Sequence, residues 1–451
     1  MGKTSSRPNP KTGSQPIGEG VFAALVGIFL LLALWKFGNP VIFESMTEKP
    51  RDIWEIIFQP WPLNWGYALI GILFLVGIVA GKLEFKKDWR SAFSLLLPLV
   101  WLAWQFISAT QTVDSKLTGF TLKHFTACVV CFYLGRFALG RIENIRPVFL
   151  GLLIGFIIVL WSGWGQHFGG LERTRRFFYE LPNWREFPPD FIKKVASNRI
   201  YGTLFYPNTL AAVILLVLPI SIATLWSLKS RLTAAARVCL ISIFTIAALA
   251  CLFWSGSKSG WLLALLLCFV VLLQLKFSPV LKRGLIIALV VIGLGGFAVK
   301  YAKFFEKGAT SVVARFDYWR AAVQITAENP VLGTGPGTFF IPYQKIKKPE
   351  SEITRLCHND YLEQASDSGV VGFLTFSAFI FGSLVICRPK GDFFVFSVWI
   401  GLVGVCLHSL VEFNLYIPAV AWPTFLLLGW LWAKKSVRQD SPGFVTSPPT
   451  K

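Results

Sequence analysis

NTLAAVILLVLPISIATLW, residues 208–226, is a run of 19 residues without a single charge. At about 1.5 Å per residue, a helix of that length covers the roughly 30 Å hydrocarbon core of a bilayer. Lipid offers the backbone no hydrogen bonds, so a lone spanning segment must satisfy its N–H and C=O groups internally, as a helix does. The stretch reads as a transmembrane helix, and the rest of the chain repeats it. Eleven further runs lie at 19–37, 66–81, 92–109, 118–138, 147–165, 236–254, 258–276, 283–302, 369–386, 393–410 and 415–433. The chain is 54% hydrophobic with a mean hydropathy of +0.58, too apolar for a soluble globular protein of 451 residues. The expected fold class is therefore all-α, a polytopic membrane protein of about 12 transmembrane helices.

Lys and Arg in the short loops set the orientation. With a cytoplasmic N-terminus, the inner loops carry Lys82, Lys86, Lys87 and Arg90; Arg136, Arg141 and Arg146; Lys229, Arg231 and Arg237; Lys276, Lys282 and Arg283; and Arg388 and Lys390. The short outer loops carry far fewer, with Lys116 and Lys123 in one, Lys258 in another and none between the last two helices. Lys434, Lys435 and Arg438 follow the last run on the inside. The first run lacks a small-residue cleavage site and reads as a retained helix. The expected organisation is a disordered cytoplasmic N-terminus (1–18), helices 1–9 (19–302) with an outer loop at about 166–207, a large outer loop (303–368) between helices 9 and 10, helices 10–12 (369–433) and a cytoplasmic tail (434–451).

A net charge of +20 could indicate nucleic acid. Basic inner loops account for much of it, but the two long outer loops are basic as well, which points to an anionic partner on the outer side. The 8 cysteines make no disulfide framework. Cys128 and Cys131 form a CxxC inside an apolar run and read as small buried hydrophobes.

The larger outer loop has structure of its own. In SVVARFDYWRAAVQITAENP, residues Val312, Phe316, Trp319 and Val323 recur at helical spacing and mark an amphipathic helix on the membrane face or under a lid, ended by Asn329 and Pro330. GTGPGTF follows, with Gly333, Gly335 and Gly337. It lacks the spacing and the strand–helix setting of a dinucleotide fingerprint and reads as a tight turn.

CHNDYLEQASDSGVVGF, residues 357–373, then carries one of 4 histidines. An imidazole exchanges protons near neutrality, so His358 is a candidate base. Equally, Asn359 or Asp360 caps the following helix and His358 is a neighbour of the cap. Asp360 and Glu363 complement the helix dipole, which suffices to explain them, and Asp367 follows on the same face. No second histidine stands at metal-ligand spacing, so no metal is expected. Arg199 precedes a membrane helix, Lys258 lies in the short turn SGSKSGW, and Arg315 and Arg320 lie on the amphipathic segment. Each alone could snorkel to the interface; three cationic positions at one membrane face could also hold a pyrophosphate. His408 and Glu412, four apart, read as a pair on one helix face.

These residues resemble the O-antigen ligase family, within the O-antigen ligase/polymerase superfamily. His358-Asn359, nine residues, Gly369, two residues and Gly372 reproduce its motif after a large outer loop. RIYGTLFYPNTLA, SGSKSG and YWRAAVQITAENPVLGTGPGTF look like family segments too, so the resemblance covers about 195–433; the first five helices agree only in number and hydropathy. Relatives usually offer arginine where this chain has Lys258, and a lysine there acts as a point charge. The resemblance implies a GT-C-type, inverting, metal-independent glycosyltransferase without a cofactor, at the periplasmic face of the bacterial inner membrane. Its donor would be a glycan on undecaprenyl pyrophosphate and its acceptor a sugar hydroxyl of lipid A–core. His358 would be the base and Arg199, Lys258 and Arg315 would bind the pyrophosphate, supported by Asn359, Gly369, Gly372 and Arg320. An O-antigen polymerase or a protein O-oligosaccharyltransferase would share that donor. A bicarbonate-like solute transporter is the alternative from another class, but it would put charges and broken helices at the bilayer midplane.

Overall fold

The computed structural model describes residues 17–440 apart from 80–88, 187–191, 194, 307 and 350. The segment expected to be disordered at 1–18 lies almost wholly outside the described residues, as do the end of the tail and the inner-loop residues Lys82, Lys86 and Lys87. Among the described residues the fold is all-helical. The helices used below are α1 (Ile17–Lys36), α2 (Leu63–Val79), α3 (Trp89–Ser108), α4 (Ser115–Tyr133), α5 (Arg146–Gly165), α6 (Leu171–Glu180), α7 (Pro207–Trp226) and α8 (Ala234–Ser255). They continue with α9 (Lys258–Gln274), α10 (Pro279–Glu306), α11 (Thr310–Glu328), α12 (Phe340–Ile346), α13 (Asp360–Ile386), α14 (Phe393–His408) and α15 (Pro418–Asp440).

Among the described residues eight helices are long and apolar enough to cross a membrane: α1, α3, α4, α5, α7, α8, α10 and α13. α2, α9 and α14 are apolar but shorter. α15 underlies the last apolar run, diluted by Trp422, Trp430, Trp432 and two lysines. The segment expected as a first outer loop contains α6, whose one buried edge is Leu171 and Phe178.

Lipid is as apolar as leucine, so close packing has to hold such a bundle together. α1 and α5 meet at Gly27 and Gly151, where a Cβ on Gly151 would lie 2.1 Å from the Gly27 carbonyl oxygen. α7 is deeply buried, over 72% of its span, and residues 418–433 of α15 are buried throughout, whereas α10 is buried over only 6% of its span.

The expected helix at 310–328 forms and ends at Asn329. Its apolar stripe, however, is mostly not its packing face. Val312, Phe316 and Val323 are exposed, while Tyr318, Ala321, Ala322 and Ile325 are buried. Trp319 is the exception in the stripe, partly buried, with its indole N–H 3.4 Å from the His358 carbonyl. Alanines permit close approach to α13, so the other bulky residues of the stripe are left facing outward.

α13 is two helices joined at a break. Residues 360–367 form two buried turns; Ser368 and Gly369 then leave helical geometry, Gly369 at φ +70° and ψ −175°. The groups freed by the break are satisfied from α3 and the glycine turn. Thr334 N–H donates to the Ser366 carbonyl (3.1 Å), Gly335 N–H to that of Asp367 (2.8 Å) and the Trp104 indole to that of Ser368 (2.8 Å). Val370 N–H donates to the Pro330 carbonyl at 2.8 Å. GTGPGTF is the tight turn expected, with positive φ at Gly333, Gly335 and Gly337.

Candidate active site

The short N-terminal half of α13 is a pedestal. Asn359 caps it, its side-chain oxygen accepting from Tyr361 N–H (3.0 Å) and Leu362 N–H (3.1 Å), as the capping reading expected. Three carboxylates, all buried, anchor the pedestal to its surroundings. Glu363 accepts from Cys357 N–H, and Asp360 from Leu415 N–H at 3.0 Å. Asp367 accepts from Gly337 N–H (2.6 Å), Phe339 N–H (3.0 Å) and the Tyr416 hydroxyl (3.0 Å). They are scaffold. Gly369 makes the break at the pedestal's end, and Gly372 lies tight against Ser368.

His358 stands at the top of the pedestal with φ +55°, a left-handed conformation that costs a non-glycine residue about 1–3 kcal/mol. The turn lifts its ring out of the helix and between Tyr318, stacked at 5.8 Å, and Phe413, edge-on at 4.7 Å. Its Nδ1 lies 3.0 Å from Glu412 Oε2. The side chain is 24% exposed, whereas that of Glu412 is 5% exposed. The imidazole thus bridges a buried carboxylate and open space.

Glu412 is the hub, and sequence spacing assigned it wrongly. It was expected to pair with His408 on one helical face, but α14 ends at His408 and residues 409–413 are irregular. His408 instead meets Ser259 (3.1 Å) and Asn414 (3.2 Å). Glu412 Oε1 accepts from Arg315 Nη2 and from the Asn208 amide, while Oε2 faces His358. Asn208 Oδ1 in turn accepts from Arg199 Nη2 at 2.7 Å, and Arg199 Nε donates to the Ser255 carbonyl at 2.7 Å. Arg315 Nε donates to the Val411 carbonyl at 3.0 Å. Burial alone would raise the Glu412 pKa; the charges of His358, Arg315 and His408 outweigh it and hold the carboxyl well below its usual range. Burial lowers the Arg199 guanidinium from its ordinary value, with Glu412 opposing that shift and Arg315 reinforcing it.

Lys258 begins α9 over the Phe304 ring, 3.8 Å from its centroid, within electrostatic reach of Arg199 and Arg315. The structure therefore brings together His358, Arg199, Lys258 and Arg315, drawn from four separate segments. Arg320 does not join them: five residues beyond Arg315, about 140° around the helix, it is exposed. Asn208 and Lys300 were missed, and Glu412 was named only as a partner of His408. Only Lys300 carried a local signal, a cation inside an apolar run. Among the described residues no group of three or more His, Cys, Asp or Glu side chains is arranged to hold a metal ion.

The fold and this centre define a multi-helix membrane protein whose histidine–carboxylate pair lies beside a cluster of cations. Residues 243–377 match the family model described as O-antigen ligase. The match supports the O-antigen ligase family, and with it a membrane ligase/polymerase-type function and a glycosyltransferase-like enzyme. It takes in Lys258, Lys300, Arg315, His358 and both motif glycines; Arg199 and Glu412 lie outside it. No curated protein matches the chain.

Proposed function

We propose that this chain is an O-antigen ligase, transferring a glycan from undecaprenyl pyrophosphate to a sugar hydroxyl of lipid A–core. The observation that carries the reading is the Glu412 hub, which holds the histidine and the arginines at once. A carboxylate accepting from Nδ1–H leaves the proton-accepting lone pair on Nε2, the nitrogen turned away from that contact across the ring. His358 Nε2 takes the acceptor hydroxyl's proton as that oxygen attacks the anomeric carbon. The bond to the pyrophosphate breaks with its electron pair passing to the leaving group, and attack from the opposite face inverts the carbon. Arg199, Arg315 and Lys258 stabilise the charge gathering on the pyrophosphate. Arg315 has a second task, since its contact with Glu412 fixes the residue that orients the base.

In this reading all twelve helices under the apolar runs cross the inner membrane. Both termini are cytoplasmic, the segments at 166–207 and 303–368 are periplasmic, and the centre faces the periplasm. The test is to incubate purified protein with lipid-linked glycan and either lipid A–core or a second lipid-linked glycan. Glycan on lipid A–core is the expected product; elongation of the second donor instead would make the protein a polymerase. His358→Ala should lower transfer by about 100- to 10,000-fold, the range for losing a general base. Near-normal transfer by that variant would overturn the mechanism.

A further inference from the structure

α10, the least buried of the eight candidate spans among the described residues, carries a buried tyrosine that the mechanism above does not use. Tyr301 is 6% exposed, yet its hydroxyl has no hydrogen-bond partner among the described residues. A buried hydroxyl without a partner costs about 1–3 kcal/mol, so the position calls for a ligand atom or a role. Lysines flank it on both sides. Lys258 Nζ lies 5.2 Å from the Tyr301 ring centroid and Lys300 Nζ 5.7 Å. Lys300 is half-buried and reaches to the Phe253 carbonyl at the end of α8, one turn from Gly256 and the Arg199 contact. Both lysines and Tyr301 interact electrostatically with Arg199. Glu412, the carboxylate of the hub, is already shared by His358 and Arg315. The α10 side of the cluster thus holds two ammonium groups and an idle hydroxyl donor, with no ion pair to a carboxylate among the described residues.

We propose that Tyr301 and Lys300, with Lys258, form a phosphate subsite beside Arg199 that takes the lipid-esterified phosphate of a polyprenyl pyrophosphate. The assignment rests on the donor reading above and adds polarity to it. His358 and Arg315 mark the end where the sugar leaves. Among the eight candidate spans of the described residues α10 is the least buried, at 6%, and so offers a polyprenyl tail in the bilayer a wide apolar face. A phosphate attached to that tail then sits against α10, and the sugar-bearing phosphate reaches inward past Arg199.

Purified full-length protein in nanodiscs, titrated with undecaprenyl phosphate, undecaprenyl pyrophosphate and phosphatidylglycerol, tests this. Tyr301→Phe and Lys300→Ala should each weaken both undecaprenyl lipids about tenfold or more, with phosphatidylglycerol unaffected and Lys300→Arg restoring much of the loss. Arg315→Ala should weaken the pyrophosphate lipid alone. Tyr301→Phe removes one oxygen, so a folding defect is not its expected effect, and identical size-exclusion profiles check this. If both α10 variants bind both lipids like wild type, or lose only the pyrophosphate lipid, the subsite is wrong while the donor reading stands. Loss confined to phosphatidylglycerol would make it a structural lipid site. Failure of the wild type to bind either undecaprenyl lipid would overturn the donor reading and the subsite together.

Discussion

Glu412 separates the roles of charge and of shape at the centre, because a single atom converts it to an amide. Gln keeps the volume and one acceptor but removes the charge that His358 and Arg315 face. Losing a hydrogen bond to a charged group costs about 1.5–3 kcal/mol, so Glu412→Gln should slow transfer about 10- to 100-fold. A positioning role predicts that the loss falls on kcat with KM little changed, because the acceptor still binds while the imidazole is misaligned for the chemical step. A loss confined to KM would make Glu412 a structural or binding residue instead. Its effect on stability has a defined sign. The native carboxyl titrates below the ordinary glutamate value of about 4.3, so its stabilisation is present above that pH. It is lost only as pH falls through the lower native value. The advantage of the wild type over Glu412→Gln should therefore be present at pH 5 and shrink as the pH falls below about 4.3, measurable by thermal unfolding at several acidic pH values.

Among the elements, the broken helix α13 explains why the motif has its spacing. Asn359 must cap, residues 360–367 supply two turns for the buried anchors, and only then can the chain break at Gly369. The break requires glycine twice over. Its φ and ψ lie where side chains are essentially excluded, and a Cβ would stand 2.1 Å from the Val331 carbonyl oxygen. Gly369→Ala should cost about 1–3 kcal/mol from the backbone alone, with more from the clash. Gly382 in the same helix is the control, since a Cβ there meets only Phe93, at 3.4 Å. Gly382→Ala should unfold in detergent at or near the wild-type temperature, and Gly369→Ala clearly below it. Equal midpoints would mean that the break can be rebuilt without glycine. Because the pedestal carries His358, transfer by Gly369→Ala should fall at temperatures where the protein is still folded.

Over the whole molecule, what could be read from sequence divides by range. Apolarity sustained over 16 or more residues is a local property, so a helix lies under every run such as 208–226. His358 was legible for a similar reason, with its cap and its glycines beside it in the chain. Glu412 was not, because its partners His358 and Arg315 lie 54 and 97 residues away and only folding brings them together. Spacing suggested His408 instead, and would have been right had α14 continued one more turn. The direction of the bundle is likewise carried by the whole chain, through the uneven Lys and Arg of its loops, and it decides which solution the centre faces. Asn183, after α6, and Ser230, between α7 and α8, are both exposed and lie on opposite sides in the proposed arrangement. In intact inner membranes probed from the periplasmic side, an impermeant maleimide should label Asn183→Cys and leave Ser230→Cys unlabelled until the membrane is opened. The reverse pattern would turn the bundle over and put the His358 centre in the cytoplasm, where a periplasmic acceptor could not reach it.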